Sequence, residues 1–171
     1  RSGFIPYNPD KNVFSDSFMS SFISINLSLY PETLIESELF GHKKGAFTGA
    51  INQHDGIFTK CTPHGSILLD EIGDVSLPVQ LKLLQILQER TFSPVGSHEI
   101  LRFNGRVIAA TNKSIKELRG SGLFRSDFYY RLCSDCIVVP SLSERIQEDP
   151  DELRLILDNI VGRLTGEKSE E

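Results

Sequence analysis

Apolar residues in this chain fall into two alternating arrangements, short unbroken runs and repeats every three or four positions. The unbroken runs predict buried strands. Phe22 to Leu27 is one, with the polar Asn26 at its tip, and Arg106 to Asn112 is another, with Thr111 and Asn112 at its end. Ser66-Ile67-Leu68-Leu69-Asp70-Glu71 is the strongest, three consecutive aliphatics closed by two carboxylates, and Ile137 to Pro140 is a final short strand. The repeats predict helices. Pro31 to Leu39 sets Leu34, Ile35 and Leu39 on one face, and Leu77 to Arg90 does so with Leu81, Leu84 and Leu87 while Gln80, Lys82 and Glu89 stay polar. Gly56 to Lys60 starts a short helix, and Ile115 to Gly122 reads as another, closing on glycines. Asp149 to Leu164 carries Leu153, Leu157, Ile160, Val161 and Leu164 on one side. Thr91–Gly96 and Ile100–Phe103 are short β segments bridged by Gly96-Ser97-His98, residues 1–21 read as loop or linker, and 165–171 as a charged disordered tail.

An apolar run with acids at its carboxyl end is the pattern of a central parallel strand whose tip enters a ligand crevice. There one carboxylate, Asp70, can hold Mg2+ through its waters, and the next, Glu71, can polarise the water that attacks a phosphate. Two acids after a strand are also common in ordinary loops. Gly45-Ala46-Phe47-Thr48-Gly49-Ala50 is a loop tip of little bulk in which Phe47 and Thr48 are the side chains able to grip a partner. The competing reading is a plain turn with Phe47 folded onto the core. Arg125 and Arg131 lie six apart, so a helix would show both on broadly similar faces, suited to charge on a γ-phosphate or to ordinary salt bridges.

Composition narrows the classes. Over 171 residues, 39% are hydrophobic and 24% charged, as in ordinary globular domains. A net charge of -5 argues against a general nucleic-acid surface, and no apolar run approaches the ~20 residues of a membrane span. Three cysteines make no even disulfide framework, which fits a reducing, cytoplasmic setting. Cys61 with His64 and Cys133 with Cys136 have zinc-ligand spacing, but the pairs lie far apart in sequence and incidental placement is the preferred reading.

The run Glu36-Ser37-Glu38-Leu39-Phe40-Gly41-His42-Lys43-Lys44 leading into Gly45–Ala50, together with Leu-Leu-Asp-Glu-Ile-Gly-Asp at 68–74, resembles the bacterial activators of sigma-54 RNA polymerase, a branch of the AAA+ ATPases. The resemblance covers about Phe22 to Leu164. It implies a three-layer αβα AAA+ core with a parallel sheet over residues 22–148 and the start of a helical lid at 149–164. It further implies that Gly45, Ala46, Phe47, Thr48, Gly49 and Ala50 touch sigma-54, with the 91–103 hairpin beside them. By the same resemblance Asp70 and Glu71 form the Walker B block, with Asp70 on Mg2+. Thr111 and Asn112 take the sensor I position against ATP, and Asn26 is a switch asparagine that pairs with Glu71. Arg125 and Arg131 match fingers that reach a neighbour's nucleotide in a ring, a hexamer or heptamer, with DNA bound by a separate domain outside this chain. Ser143 departs from the family's Leu-Arg-Glu-Arg.

The phosphate cradle Gly-x-x-x-x-Gly-Lys-Ser/Thr does not occur in this sequence, and Gly162 to Ser169 approaches it with the wrong spacing. A truncated chain, an omitted segment, or a natural variant without nucleotide binding would each account for this. The surviving acids, Asn112 and both arginines favour the first two. The rival function is a non-catalytic AAA+-like interaction module.

Overall fold

A computed structural model describes residues 7–14, 21–120 and 122–166. The readings of residues 1–6 and 15–20 as linker and of 167–171 as tail lie outside the described residues. Within the expected linker, β1 (Tyr7–Asn8) and β2 (Val13–Phe14) instead pair as an antiparallel hairpin. Asn8 makes the turn by accepting from the Asp10 and Lys11 N–H groups at 3.1 and 3.2 Å, a local bond that competes with extended backbone.

From there strands and helices alternate: β3 (Phe22–Asn26), α1 (Glu32–Phe40), α2 (Ile57–Lys60), β4 (Ser66–Asp70) and α3 (Leu77–Glu89), then β5 (Thr91–Phe92), β6 (Leu101–Arg102) and β7 (Arg106–Ala109). Four helices follow, α4 (Ile115–Gly120), α5 (Ser126–Leu132), α6 (Leu142–Glu148) and α7 (Asp151–Thr165). Strands β3, β4 and β7 form a parallel sheet in that order, with Asn26 level with Asp70 and Leu69 level with Ala109. Parallel register puts the three strand ends, Asn26, Asp70 and the Ala110–Asn112 segment, at the same edge of the sheet, where ligand crevices form in such folds. The fold is mixed α/β, as the alternation predicts.

Each of β3 and β4 buries alternate residues, Ile25 on one and Ile67 and Leu69 on the other. Phe58 from α2 is the hub beneath the chain's long loop, its ring 5.8 Å from Phe40, 5.9 Å from Phe92 and 5.0 Å from Phe103. Burying each of these rings contributes about 2–3 kcal/mol, and together they dock the β5–β6 hairpin onto α1 and α2.

Two expectations need correction. Helix α3 buries Val79, Gln80, Leu83, Leu84 and Ile86, whereas Leu81 is 47% exposed, so its core face is rotated from the Leu81–Leu84–Leu87 stripe. The true face follows i, i+4, i+7 through Val79, Leu83 and Ile86 and takes in a polar residue, which an apolar count passes over. Ile137 to Pro140 forms no strand; Ile137, Val138 and Val139 are 86, 82 and 76% exposed. A β-propensity run becomes a strand only when a neighbour satisfies its backbone, and among the described strands none pairs with it.

The chain divides into two compact units, Arg1–Ser134 and Asp135–Glu171. The second unit contains α6 and α7. Helix α6 opens with a capping box in which Ser141 and Glu144 each bond the other's backbone N–H, and Arg145 pairs with Glu152 of α7. No described helix is long and apolar enough to cross a membrane.

Candidate functional site

Two clusters in the first unit hold most of the residues singled out by the sequence, and the two arginines lie outside both. One is the acid tip of the sheet. Asp70 ends β4 with its Oδ1 accepting the Glu71 N–H at 3.0 Å and its Oδ2 facing the Asn26 amide at 3.4 Å. Asn26 also accepts from the Ser28 N–H and hydroxyl, which caps the short turn Leu27–Leu29 leading into α1. The expected Asn26–Glu71 pair is therefore absent: Asn26 sits level with Asp70, one residue short of the glutamate, and bonds what lies opposite.

Glu71 is the unusual member. Its backbone is left-handed, φ 56° and ψ 42°, a conformation that strains a residue with a Cβ, and its Oε2 is buried without a hydrogen-bond partner. The surrounding turn is firmly clipped. The Ile72 N–H donates to Ala110 O at 3.0 Å, the Ala110 N–H to Leu69 O at 2.9 Å, and Lys113 bridges Gly73 O and Asp74. Thr111 stands against this turn: a Cβ on Gly73 would lie 2.8 Å from Thr111 Oγ1. Asn112 is exposed at the same edge and bonds none of the other site residues. A bare carboxylate oxygen next to a second carboxylate, at the carboxyl edge of a parallel sheet, can position a water beside a cation-bound oxyanion.

The arginines are mounted on α3. Arg125 caps the start of α5, and its guanidinium is forked onto Asp127 at 2.9 and 2.7 Å, a hydrogen-bonded pair that raises the arginine's pKa and lowers the carboxyl's. Arg131 donates Nε to Leu87 O at 3.2 Å. Neither guanidinium bonds Asp70 or Glu71 in this chain, so the structure does not bring the arginines onto the acid tip.

The second cluster is the loop. Gly45 and Gly49 take φ of 80° and 103°, and the tip closes with Gly45 N–H to Ala50 O at 2.8 Å and Ala50 N–H to Phe47 O at 3.0 Å. Phe47 is 38% exposed and lays its edge on the His42 ring, centroids 4.9 Å apart, rather than entering the core. Thr48 is exposed. Ala50, by contrast, is buried and anchors the tip, and Ala46 rests on Gly96, where a Cβ would come within 2.6 Å of the Ala46 Cβ. The β5–β6 hairpin thus stands beside the loop, joined by Lys43 N–H to Val95 O, Val95 N–H to Gly41 O and a Lys43–Glu99 ion pair at 3.1 Å.

His42 organises the base, a role the sequence reading gave to no residue. Its backbone N–H and C=O both bond His54, its Nε2 meets Asn52 O at 3.0 Å and its Nδ1 meets the buried Ser37 hydroxyl at 2.7 Å. A carbonyl only accepts, so Nε2 carries the hydrogen, and in the neutral ring Nδ1 accepts from Ser37. Cys61 is half-buried, and burial pushes its thiol up. Among the described residues no group of three or more His, Cys, Asp or Glu gathers that could hold a metal ion. A Mg2+ held through one carboxylate, waters and substrate phosphates requires no such group.

Residues 12–137 match the family model described as the Sigma-54 interaction domain. The chain is 50% identical over 134 residues to a Nif-specific regulatory protein of Klebsiella pneumoniae, covering 78% of this chain and 25% of that protein. It is 46% identical over 129 residues to the transcriptional regulatory protein GlrR of Escherichia coli strain K12, covering 75% and 29%. The nitrogen fixation protein VnfA of Azotobacter vinelandii matches at 42% over 166 residues, 97% of this chain and 30% of that one. The chain therefore spans less than a third of the length of these relatives. NtrX from Brucella abortus, solved in complex with ADP, superposes with a TM-score of 0.72 at 25% identity over 88% of this chain and 32% of NtrX. The chain belongs to the sigma-54 interaction domain family of transcriptional regulators, with the AAA+ type of α/β fold.

Proposed function

We propose that this chain is the central part of a cytoplasmic transcriptional activator that, in a ring of like subunits, couples ATP hydrolysis to remodelling of sigma-54 RNA polymerase and so to promoter opening. The observation that carries the reading is Glu71, a strained glutamate with a bare, buried Oε2 beside Asp70 at the carboxyl edge of the sheet. Strain and an unsatisfied carboxylate both work against stability, and a hydrolytic role explains their combination.

The residues present fit the hydrolytic half of a nucleotide site. Asp70 would hold Mg2+, which neutralises charge on the phosphates when bound, and Glu71 would orient the attacking water. Thr111 and Asn112 would hydrogen-bond the γ-phosphate or that water. The phosphate-cradling segment would be supplied by the remainder of a longer protein. Arg125, released from Asp127, and Arg131 would stabilise charge on a neighbour's γ-phosphate. NtrX has been solved with ADP and with ATP, which supports nucleotide as the ligand class.

The same residues suggest how the site speaks to the loop. Asn26 caps the turn that enters α1, and α1 delivers the chain to His42 and the 45–50 tip. A change in what Asn26 bonds, from Asp70 to Glu71 as nucleotide turns over, would shift α1 and with it the presentation of Phe47. The test is ATPase rate beside sigma-54 capture in a transition-state analogue for the full-length protein. Turnover that requires Glu71 and capture that requires Phe47 are expected. A full-length protein that captures sigma-54 without binding nucleotide would instead establish the non-catalytic module.

A further inference from the structure

Gln80 is the fourth residue of α3 and is 1% exposed, although it is a polar residue on an amphipathic helix. Its amide Nε2 donates to Val75 O at 3.0 Å and to Leu123 O at 2.9 Å, and its Oε1 accepts the Arg125 N–H at 2.9 Å. The orientation follows from chemistry: turned over, the oxygen would face two carbonyls and the NH2 would face an N–H, losing all three bonds. A methionine or leucine would fill the same space with no polar group to desolvate, so the amide itself is what needs explaining.

What the amide joins is informative. Val75 is four residues beyond Glu71, at the end of the turn clipped to β4 and β7, and is itself buried. Leu123 and Arg125 flank Phe124, which is buried against Phe128 with ring centroids 5.2 Å apart. The Arg125 N–H is the backbone donor of a helix cap, a group often satisfied by a residue in the helix's own first turn; here a side chain from another helix takes it. Two helical turns further along α3, Leu87 O holds Arg131.

We infer that Gln80 is a positioning residue, which fixes the Arg125 segment to the turn that follows the acid pair and so sets where the arginine is offered to a neighbouring subunit. This rests on the reading of Arg125 as acting across a subunit boundary. In the full-length protein, Gln80→Met is expected to lower kcat by roughly 10–100-fold, the size of effect that follows from displacing a catalytic group by about an ångström, while KM for ATP changes less than about threefold. Mixing Gln80→Met with Glu71→Gln subunits is expected to restore part of the turnover, because some interfaces then pair an intact finger with an intact acid site. Mixing Gln80→Met with Glu71→Gln without recovery, while Arg125→Ala with Glu71→Gln does recover, would overturn the inference. Normal kcat in Gln80→Met would overturn it too. Full turnover in Arg125→Ala would remove the parent reading instead, and the inference with it. Should the methionine variant not fold, hydrogen exchange in the wild-type protein decides: the Arg125 N–H is expected to exchange at least about a hundredfold more slowly than in a free chain, and exchange at the free-chain rate would refute the bond on which everything here depends.

Discussion

The base of the 45–50 loop and the acid tip of the sheet are joined in sequence by α1, yet they are built on opposite plans. Around His42 polar groups are matched: both backbone groups to His54, one ring nitrogen to Ser37, the other to Asn52 O, and the neighbouring Lys43 N–H to Val95 O. The loose end there, His54 Nε2, still faces Glu38 Oε2 at 3.6 Å. At the acid tip, Glu71 combines left-handed backbone with a buried oxygen that bonds nothing. A surface offered to a macromolecule gains from being built in advance, since ordering it on binding would subtract from affinity. A hydrolytic site must also be held in place beforehand, but with a polar group whose partner is to be water or phosphate rather than the protein.

The sharpest test of that contrast is Glu71→Gln. In the full-length protein it should lower ATP turnover by about 10²–10⁴-fold, the range associated with general acid–base groups, with nucleotide binding retained. In the 171-residue chain the same change should leave the melting temperature unchanged or raised, because a neutral amide is less costly to bury than a carboxylate. A fall in melting temperature without loss of turnover would make Glu71 a structural residue. At the loop base the sign reverses. Gly56→Ala would place a Cβ 2.3 Å from Gly41 N and 2.4 Å from Leu39 O, backbone atoms that cannot step aside. The expected loss is about 3 kcal/mol or more, read as a lower midpoint in urea.

How far the sequence foretold these two regions depends on what kind of signal carried each part. The sheet was legible because β4 combines an apolar run with terminal acids, and parallel register then brought Asn26 and Asp70 level. The order of Asn26, Asp70 and Glu71 along their strands was legible too, but not which acid the asparagine would bond, since that turns on a single residue of register. Gln80 was hidden because a polar residue on an amphipathic helix reads as solvent-facing; the stripe Val79, Leu83, Ile86 would have shown that position 80 lies beside the core. His42 stood in the run that carries the resemblance, but its organising role gave no local signal, because its side-chain contacts with Ser37, Phe47, Asn52 and His54 come from residues five to twelve positions away. Ile137 to Val139 misled for the opposite reason: propensity is local, and a strand is a pairing.

The loop tip gives the next largest effect. Phe47→Ala should reduce sigma-54 capture by the ~2 kcal/mol or more typical of an interface aromatic, with ATP turnover and folding nearly intact, because the ring is part-exposed and leans on His42 rather than on the aromatic hub at Phe58. Thr48→Ala should do the same more mildly. If Phe47→Ala unfolds the protein, or captures sigma-54 normally, the ring is a core residue and the prebuilt-surface side of the comparison fails.

Ser37→Ala makes the smallest change and probes the comparison most finely. Ser37 is buried on α1, and removing its hydroxyl leaves His42 Nδ1 without its 2.7 Å donor. A buried acceptor stripped of its partner costs about 1–3 kcal/mol, and the low end applies because His42 is only partly enclosed and keeps its Asn52, His54 and Phe47 contacts. About 1 kcal/mol in a chain of this size lowers the melting temperature by roughly 2–4 °C. The informative quantity is sigma-54 capture in the same variant. If His42 holds Phe47 in its offered orientation, loosening one of its bonds should weaken capture several-fold, less than Phe47→Ala, while ATP turnover stays at the wild-type rate. Ser37→Thr, which keeps the hydroxyl, should recover capture. Equal capture in all three proteins would show that Phe47 is oriented by the glycine-flanked turn alone, and that the hydrogen-bonded base beneath it serves stability rather than presentation.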